Sequence, residues 1–597
     1  MDEYCSPPLA RVGASEGIAD AVFRRANADP EAVVLRRLAP GGWLDVTAGQ
    51  FSTEVAALAN GLIAAGIEPG DRIALLSRTR YEWTLADYAI WACGAVAVPV
   101  YETSSGEQVD WILRDSQARA SFAETDAHEQ ILARVQAKLS SLERIWRIDD
   151  LDAVMRGGSA IPPELLTGRL AGTTAADLAT IVYTSGTTGR PKGCELSHGS
   201  LLADVRNAIA ALPELFSPPG ASTLLFLPLA HVFARIIEVG TLDAGTVLGH
   251  WPDPNTLADG LVSFQPTFVL AVPRAFEKIY SAAESQAAAS TAGARIFAAA
   301  AREAVGWSEA RAAGGAVGPF RSARHRAFDI LVYRRLRKAT GGRLTYAISG
   351  GGPLTGRIGH FFRGAGITIL EGYGLTEATG AATVNRPVGN KIGTAGLPLP
   401  GVDVRIAPDG EILLRGATIF RGYWRNPAAT RDALDADGWL DTGDLGRLDD
   451  DGTLCVTGRR KELIVTAGGT NVAPAVLEER IRAQPLVSHC MVVGDRRPYV
   501  GCLVTLDPDE LERWKHRNAR PSDASAADLA DDPDLLAEIQ QIVDNANNAV
   551  SRAESIRRFR VLPGDFSEAG GQLTPSDKVR RSVVSHDFAT EIEALYT

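Results

Sequence analysis

The chain has 597 residues, of which 45% are apolar and 22% charged, close to the averages for folded globular proteins. That balance excludes a disordered or fibrous chain, and at roughly 150 residues per domain the length alone suggests about four domains. A net charge of −11, from 61 basic and 72 acidic residues, argues against non-specific nucleic-acid binding, while leaving room for a locally cationic site.

The first residues, MDEYCSPPLA, carry neither the basic start nor the apolar run of a signal peptide. An apolar β-branched run, Arg72-Ile-Ala-Leu-Leu, is followed by a helical stretch from Glu82 to Trp91 and a second run from Ala95 to Val100. This is the rhythm of a parallel sheet covered by helices. The most apolar stretch, Tyr88 to Tyr101, is broken by Gly94 and Pro99 and falls short of the ~18 residues of a membrane span. Strand-like runs recur at Ala179–Tyr183, Thr223–Leu227, Thr267–Val272 and Ile367–Leu370. Between about Ser281 and Gly342 the chain is rich in Ala, Arg and Glu with helical periodicity, which predicts a helical insertion. From about 393 to 458, short strands alternate with turn signals such as Pro408-Asp-Gly and Asp450-Asp-Gly, predicting a small β-rich subdomain. Mixed α/β character resumes after Arg459, with an exposed loop expected from Arg517 to Pro533. No repeat at solenoid or propeller periods is visible. The six cysteines (5, 93, 194, 455, 490 and 502) show no CxxC spacing, so neither a disulfide framework nor a zinc site is expected, and a reducing, cytoplasmic setting is.

The sharpest chemical signal is Tyr183-Thr-Ser-Gly-Thr-Thr-Gly-Arg-Pro-Lys-Gly193, directly after a predicted strand. Hydroxyls at Thr184, Ser185, Thr187 and Thr188 alternate with Gly186, Gly189 and Gly193, and Lys192 adds positive charge. Glycine lets backbone N–H groups approach anionic oxygens, so the segment reads as a phosphate-gripping loop. It is not a Walker A loop, because Gly193 rather than Ser or Thr follows Lys192. A flexible linker is the alternative, but a linker has no need of Pro191-Lys192-Gly193.

This loop resembles the signature of adenylate-forming acyl ligases, the superfamily of acyl-CoA synthetases, peptide-synthetase adenylation domains and firefly luciferase. Further segments carry the resemblance from about residue 45 to 581. Leu227-Pro-Leu-Ala-His-Val-Phe233 is similar to the segment lining the acid site, and implies that His231 orients the carboxylate or shields it from water. Ala347-Ile-Ser-Gly-Gly-Gly-Pro-Leu354 resembles the segment beside the acyl pocket and adenine, placing Gly351 and Gly352 at the nucleotide. In Glu371-Gly-Tyr-Gly-Leu-Thr-Glu377 the resemblance implies adenine stacking by Tyr373, α-phosphate contact by Thr376 and Mg²⁺ at Glu377 with Thr184; Glu371 and Gly372 join the ATP-binding set. An aromatic face suits a base and a hard carboxylate suits Mg²⁺. Asp444, in Gly438-Trp-Leu-Asp-Thr-Gly-Asp444, matches the position that accepts from the ribose hydroxyls. Gly458-Arg-Arg-Lys-Glu-Leu-Ile464 resembles the inter-domain hinge, with Arg459 on ribose or phosphate and Lys461 at the pivot; Val465 stands where lysine is commoner. Gly468 and Gly469 fit a narrow channel for the CoA thiol arm. Leu573-Thr-Pro-Ser-Asp-Lys-Val-Arg-Arg581 resembles the C-terminal catalytic segment, and makes Lys578 the lysine that bridges carboxylate and α-phosphate.

The resemblance implies an α/β fold: a large N-terminal domain (1–458) of parallel and mixed sheets, including the insertion and the β-rich subdomain, and a smaller mobile α+β domain (459–597). The insertion and the Leu-Thr-Pro-x-x-Lys-Val-Arg form look most like the long-chain fatty acyl-CoA synthetases. The implied reaction consumes ATP with Mg²⁺, forms acyl-AMP from a long-chain fatty acid, and passes the acyl group to coenzyme A. A fatty acyl-AMP ligase loading an acyl carrier protein would share every adenylation motif. A catalytically silent nucleotide- or lipid-binding protein would be expected to lack Glu377, Asp444 or Lys578, and all three are present. The basic, amphipathic stretch Phe328–Lys338 is either an ordinary solvated helix or a peripheral contact with anionic lipid. The sequence leaves monomer and homodimer equally open.

Overall fold

The computed structural model describes residues 1–184, 190–314, 318–467, 470–574 and 577–597. A six-stranded sheet runs in the spatial order Arg144–Arg147, Ala120–Ala123, Arg72–Leu76, Val96–Val100, Leu178–Thr184, Lys192–Ser197. All neighbours are parallel except the last pair. Its central strands are continuous apolar runs because both faces are covered. The helix Tyr81–Ala92 shows the same logic, being buried at every residue. Its charges are neutralised inside: Asp87 pairs with Arg235 at 2.8 Å, both fully buried, and the guanidinium lies 5.2 Å from the ring centres of both Trp83 and Trp91. Arg235 belongs to the helix Val232–Ala244, so this pair fixes the helix that His231 caps at its N-terminus.

The nine-stranded sheet has six parallel strands at its centre, from Val33–Ala39 to Thr368–Tyr373, and short antiparallel strands at its edges. Ser222–Leu225, Phe268–Ala271, Tyr346–Ser349 and Thr368–Tyr373 share one direction, so Leu227, Val272, Gly351 and Tyr373 emerge at one rim. In open α/β sheets ligands bind beyond these carboxyl ends. The predicted helical insertion is found as the helices Pro273–Ala287, Thr291–Ala312 and Pro319–Phe328, a π-turn at Asp329–Tyr333, and Arg334–Ala339. It packs through Tyr280 and Phe297 onto Phe361, with Tyr280 and Phe361 edge to face at 4.8 Å.

The β-rich segment forms an antiparallel sheet of five strands, one of which comes from elsewhere: Glu3–Cys5 pairs with Val402–Ile406. The C-terminal segment has its own three-stranded sheet, Val487–Val493, Val500–Leu506 and Ile556–Val561, over helices that bury Leu477, Ile481, Trp514 and Ile539. The stretch expected as a loop from Arg517 to Pro533 is more structured than its polarity suggested. Lys515 donates to the carbonyls of Ser522 and Ala524, Arg520 pairs with Asp532 at 2.7 Å, and the short helix Ala526–Leu529 buries Leu529. Among the described residues no helix is long and apolar enough to cross a membrane.

One buried acid supports the turn after Tyr373. Asp204 is fully buried on the helix His198–Ala211, and its Oδ2 accepts from the Ala381 amide at 3.0 Å. Burial pushes its pKa well above the ordinary carboxylate value, outweighing that amide, so the folded chain holds the proton. An unfolded aspartate ionises near pH 4, so the group's contribution to stability is full below about pH 4 and is lost as pH rises. Asp204→Asn removes this dependence. The margin of its melting temperature over the parent's should grow as pH rises above about 4, the pH at which an unfolded aspartate ionises. A margin flat in pH would show that Asp204 is already ionised in the folded protein.

Candidate active site

Three of the expected ATP contacts form one cluster. Asp444 is buried in the strand Leu440–Leu448; its Oδ2 accepts from the Tyr373 hydroxyl at 2.8 Å and its Oδ1 from Arg459 Nε at 2.8 Å. Arg459 ends the neighbouring strand Leu454–Arg459, where it stands opposite Asp444 in register. Burial, reinforced by Asp444, raises the Tyr373 pKa far above that of a free phenol, so it stays a donor. Gly374 lets the chain turn here: a Cβ on it would lie 1.6 Å from the Gly380 carbonyl oxygen. The turn presents Thr376 and Glu377 in the single 3-10 turn Thr376–Ala378.

Lys578 approaches this cluster from the C-terminal segment. Enclosure by protein lowers its pKa and the Arg459 guanidinium lowers it further, against the opposing carboxylates of Asp444 and Glu462. Its side chain is nevertheless solvent-reachable, because it faces a cavity of about 1620 Å³ whose wall also includes His231, Phe233 and Gly351. His231 caps the helix Val232–Ala244, its Nδ1 accepting from the Phe233 amide at 3.1 Å. Burial, helped by Lys578, lowers its pKa to about 4. A neutral imidazole whose Nδ1 accepts carries its proton on Nε2, so His231 offers an N–H donor and no charge. Gly350 permits close packing of this wall, since a Cβ there would meet Phe233 at 2.6 Å, and Gly351 adopts a φ of +81° at the cavity surface.

A second group lies at the hairpin that frames the loop. Thr184 and Lys192 stand opposite each other at its two ends; Ser185, Gly186, Thr187, Thr188 and Gly189 lie outside the described residues. Lys192 Nζ is 4.8 Å from the ring centre of Tyr423, and the Tyr423 hydroxyl donates to Glu377 Oε1 at 2.7 Å. The hairpin is thereby tied to the carboxylate expected to hold Mg²⁺. Tyr423 has no signal in the sequence beyond being aromatic in a turn-rich segment. The donor set is a hydroxyl and a half-buried carboxylate, and no cluster of three or more His, Cys, Asp or Glu occurs among the described residues. Few, hard oxygen donors suit Mg²⁺, which keeps waters and substrate phosphates as its remaining ligands.

Not every expected contact joins these groups. Glu371 is buried with Oε1 accepting from the Gly393 amide at 2.7 Å, and burial raises its pKa to about 7. It ties down the chain near Gly393. Gly372 sits within the strand, where a Cβ would lie 3.0 Å from the Thr383 carbonyl oxygen. Gly352 is exposed beside Gly351. Lys461 is exposed in the 3-10 turn Arg460–Glu462 that follows Arg459. Gly468 and Gly469 lie outside the described residues, between the short paired strands Ile464–Val465 and Asn471–Val472. Sequence reasoning passed over Arg274, which reaches the residue next to Lys578: its Nη1 is 3.0 Å from Asp577 Oδ2.

The AMP-binding enzyme family matches residues 22–424, and the AMP-binding enzyme C-terminal domain matches residues 461–597. The chain belongs to this family of AMP-binding enzymes. It is 50% identical over 601 aligned residues to the long-chain-fatty-acid–CoA ligase FadD15 of Mycobacterium tuberculosis, with all of both chains covered. The long-chain-fatty-acid–CoA ligase ACSBG1 of Homo sapiens is 29% identical, over 93% of this chain and 82% of its own. Among solved structures, an anthranilate CoA ligase in complex with anthranoyl-AMP superposes with a TM-score of 0.74 at 19% identity, covering 98% of this chain and 99% of that one.

Proposed function

We propose that this enzyme is an AMP-forming long-chain fatty acid–CoA ligase using ATP, Mg²⁺ and coenzyme A. The observation that carries the substrate class is the cavity that begins at His231 and Lys578. At about 1620 Å³ it exceeds the ~300–1,000 Å³ of ordinary small-ligand sites. Its wall is built from small and aliphatic side chains of the insertion, among them Ala283, Ala287, Ile279 and Leu336. Each methylene buried there contributes about 0.8 kcal/mol.

A carboxylate resists nucleophiles because of its charge and its poor leaving group. In the first half-reaction a carboxylate oxygen forms a bond to the α-phosphorus of ATP, and pyrophosphate departs with the electrons of the broken P–O bond. Asp444 accepts from the ribose hydroxyls, Tyr373 stacks on adenine, and Thr376 contacts the α-phosphate. Lys578 neutralises charge between carboxylate and phosphate, and the neutral Nε2–H of His231 orients the acid. Thr184, Lys192 and the loop between them hold the departing phosphates; Glu377 and Thr184 would supply oxygens to Mg²⁺, which when bound would offset charge on the phosphates. In the second half-reaction the CoA thiol attacks the acyl carbonyl and AMP leaves. The units 1–458 and 459–597 rotate about Lys461 between the steps, withdrawing Lys578 and bringing Gly468 and Gly469 to the thiol path. The enzyme works in the cytoplasm with a peripheral lipid contact. What supports that contact is the cavity wall's exposed Val262, Ile296 and Leu331 beside the cations Arg335 and Lys338, near exposed Ile330.

The test is AMP release across acids from acetate to long chains, free or carried in phosphatidylglycerol vesicles, with CoA and a carrier protein offered separately as acceptors. Long chains with CoA should turn over fastest, and vesicle delivery should increase the rate. Preference for short acids overturns the cavity reading, transfer only to the carrier protein favours the acyl-AMP ligase, and a rate indifferent to vesicles removes the lipid contact.

A further inference from the structure

Asp577 stands immediately before Lys578 with a φ of +62°, a left-handed conformation that a non-glycine residue keeps only when its surroundings hold it. Two groups hold it, one from each unit. From the C-terminal unit comes His489, on the strand Val487–Val493, with Nε2 3.2 Å from Asp577 Oδ1. From the large unit comes Arg274, in the first turn of the helix Pro273–Ala287, with Nη1 3.0 Å from Asp577 Oδ2 and 3.0 Å from His489 Nε2. Arg274 Nη2 also donates to Ser488 Oγ at 3.2 Å. Behind His489, Asp565 lies 3.0 Å from Nδ1 and accepts from Ser488 at 2.5 Å and Thr505 at 2.6 Å.

The arrangement has two parts. His489, Ser488, Thr505 and Asp565 all belong to the C-terminal unit and form a brace that moves with Asp577. Burial disfavours a charged His489, but Asp565 and Asp577 outweigh it and raise its pKa above the ordinary histidine value. Of the groups in this cluster, only Arg274 belongs to the large unit. Arg274 also shares the cavity wall with Lys578.

We propose that Arg274 is a positioning residue: by gripping Asp577 and Ser488 across the boundary, it latches Lys578 over the carboxylate for the first half-reaction and must release for the second. This rests on the reading of Lys578 as the adenylating lysine. A cation–carboxylate contact suits such a latch because it reforms repeatedly, and solvent at the half-exposed Asp577 keeps its release inexpensive.

The test uses the full chain and two assays: pyrophosphate release from long-chain acid and ATP, and thioester formation from supplied acyl-AMP and CoA. Arg274→Ala should shift the ratio of the two rates toward the second by about tenfold, in the range of site-to-site couplings. Asp577→Asn should shift it in the same direction, and the double variant should be no worse than the worse single, as expected of groups acting through one contact. Arg274→Gln carries the same test if the alanine variant does not accumulate. Equal losses in both assays, or additive losses in the double variant, overturn the latch. Lys578→Ala is run alongside. If it abolishes pyrophosphate release while the Arg274 variants leave the ratio unmoved, the latch alone fails; if it leaves pyrophosphate release intact, the reading beneath fails and takes the latch with it.

Discussion

Replacing Lys578 with alanine is expected to lower pyrophosphate release by at least ~10²–10³-fold, the usual loss when one preorganised transition-state donor is removed. In the same variant, thioester formation from supplied acyl-AMP should stay near the parent's rate. The reason is geometric. Lys578 shares a site with the Arg459–Asp444 pair and faces the cavity wall that carries His231, where on the proposed mechanism negative charge from the acid and the α-phosphate would meet. On that mechanism its amine has no role once the acyl-phosphate bond exists. Enclosure and Arg459 lower its pKa, yet the carboxylates of Asp444 and Glu462 act to keep it charged, so a bound anionic substrate strengthens the charged form further. Lys578→Arg tests placement against charge: guanidinium keeps the charge but not the compact shape, and partial activity is the expected outcome. Equal loss in both half-reactions would remove Lys578 from the role assigned here.

Lys461→Pro should give the opposite profile. Lys461 is exposed in the short turn that follows Arg459, so its side chain adds little to the core. Proline there fixes φ near −65° and restricts the preceding residue, Arg460, as well, which locks the pivot. Adenylation should persist, because the present geometry already sets Lys578 at the site. Thioester formation should fall by about 10²-fold, a loss of the size that misplaced reacting groups produce. Unchanged overall turnover would show that the two units need not rotate.

The parallel strands were legible because burial on both faces writes itself as unbroken apolar runs; Arg72–Leu76 is an example. The strand Lys192–Ser197 was hidden by its place in a motif read for its chemistry, whereas its partner Leu178–Thr184 was legible as the strand-like run Ala179–Tyr183. The pairing of Glu3–Cys5 with Val402–Ile406 carries no local signal at all. At the site, residue types were readable and partnerships were not. Asp444 and Tyr373 could be named as nucleotide residues, but that they bond to each other, or that Tyr423 bonds to Glu377, follows only from a fold that joins distant segments. Arg274 and Asp577 are 303 positions apart, and neither residue looks unusual in its own sequence neighbourhood.

The first strand has a kinetic side. Glu3 pairs with Arg405 across 402 positions, in the same sheet that carries Asp444 and Arg459. At ~5–20 residues per second of synthesis, about 20–80 s pass between the appearance of the two strands. For that interval the leading segment waits without its partner edge. The sheet that bears the nucleotide cluster is therefore closed late, after the parallel sheets that precede it in the chain have had time to form.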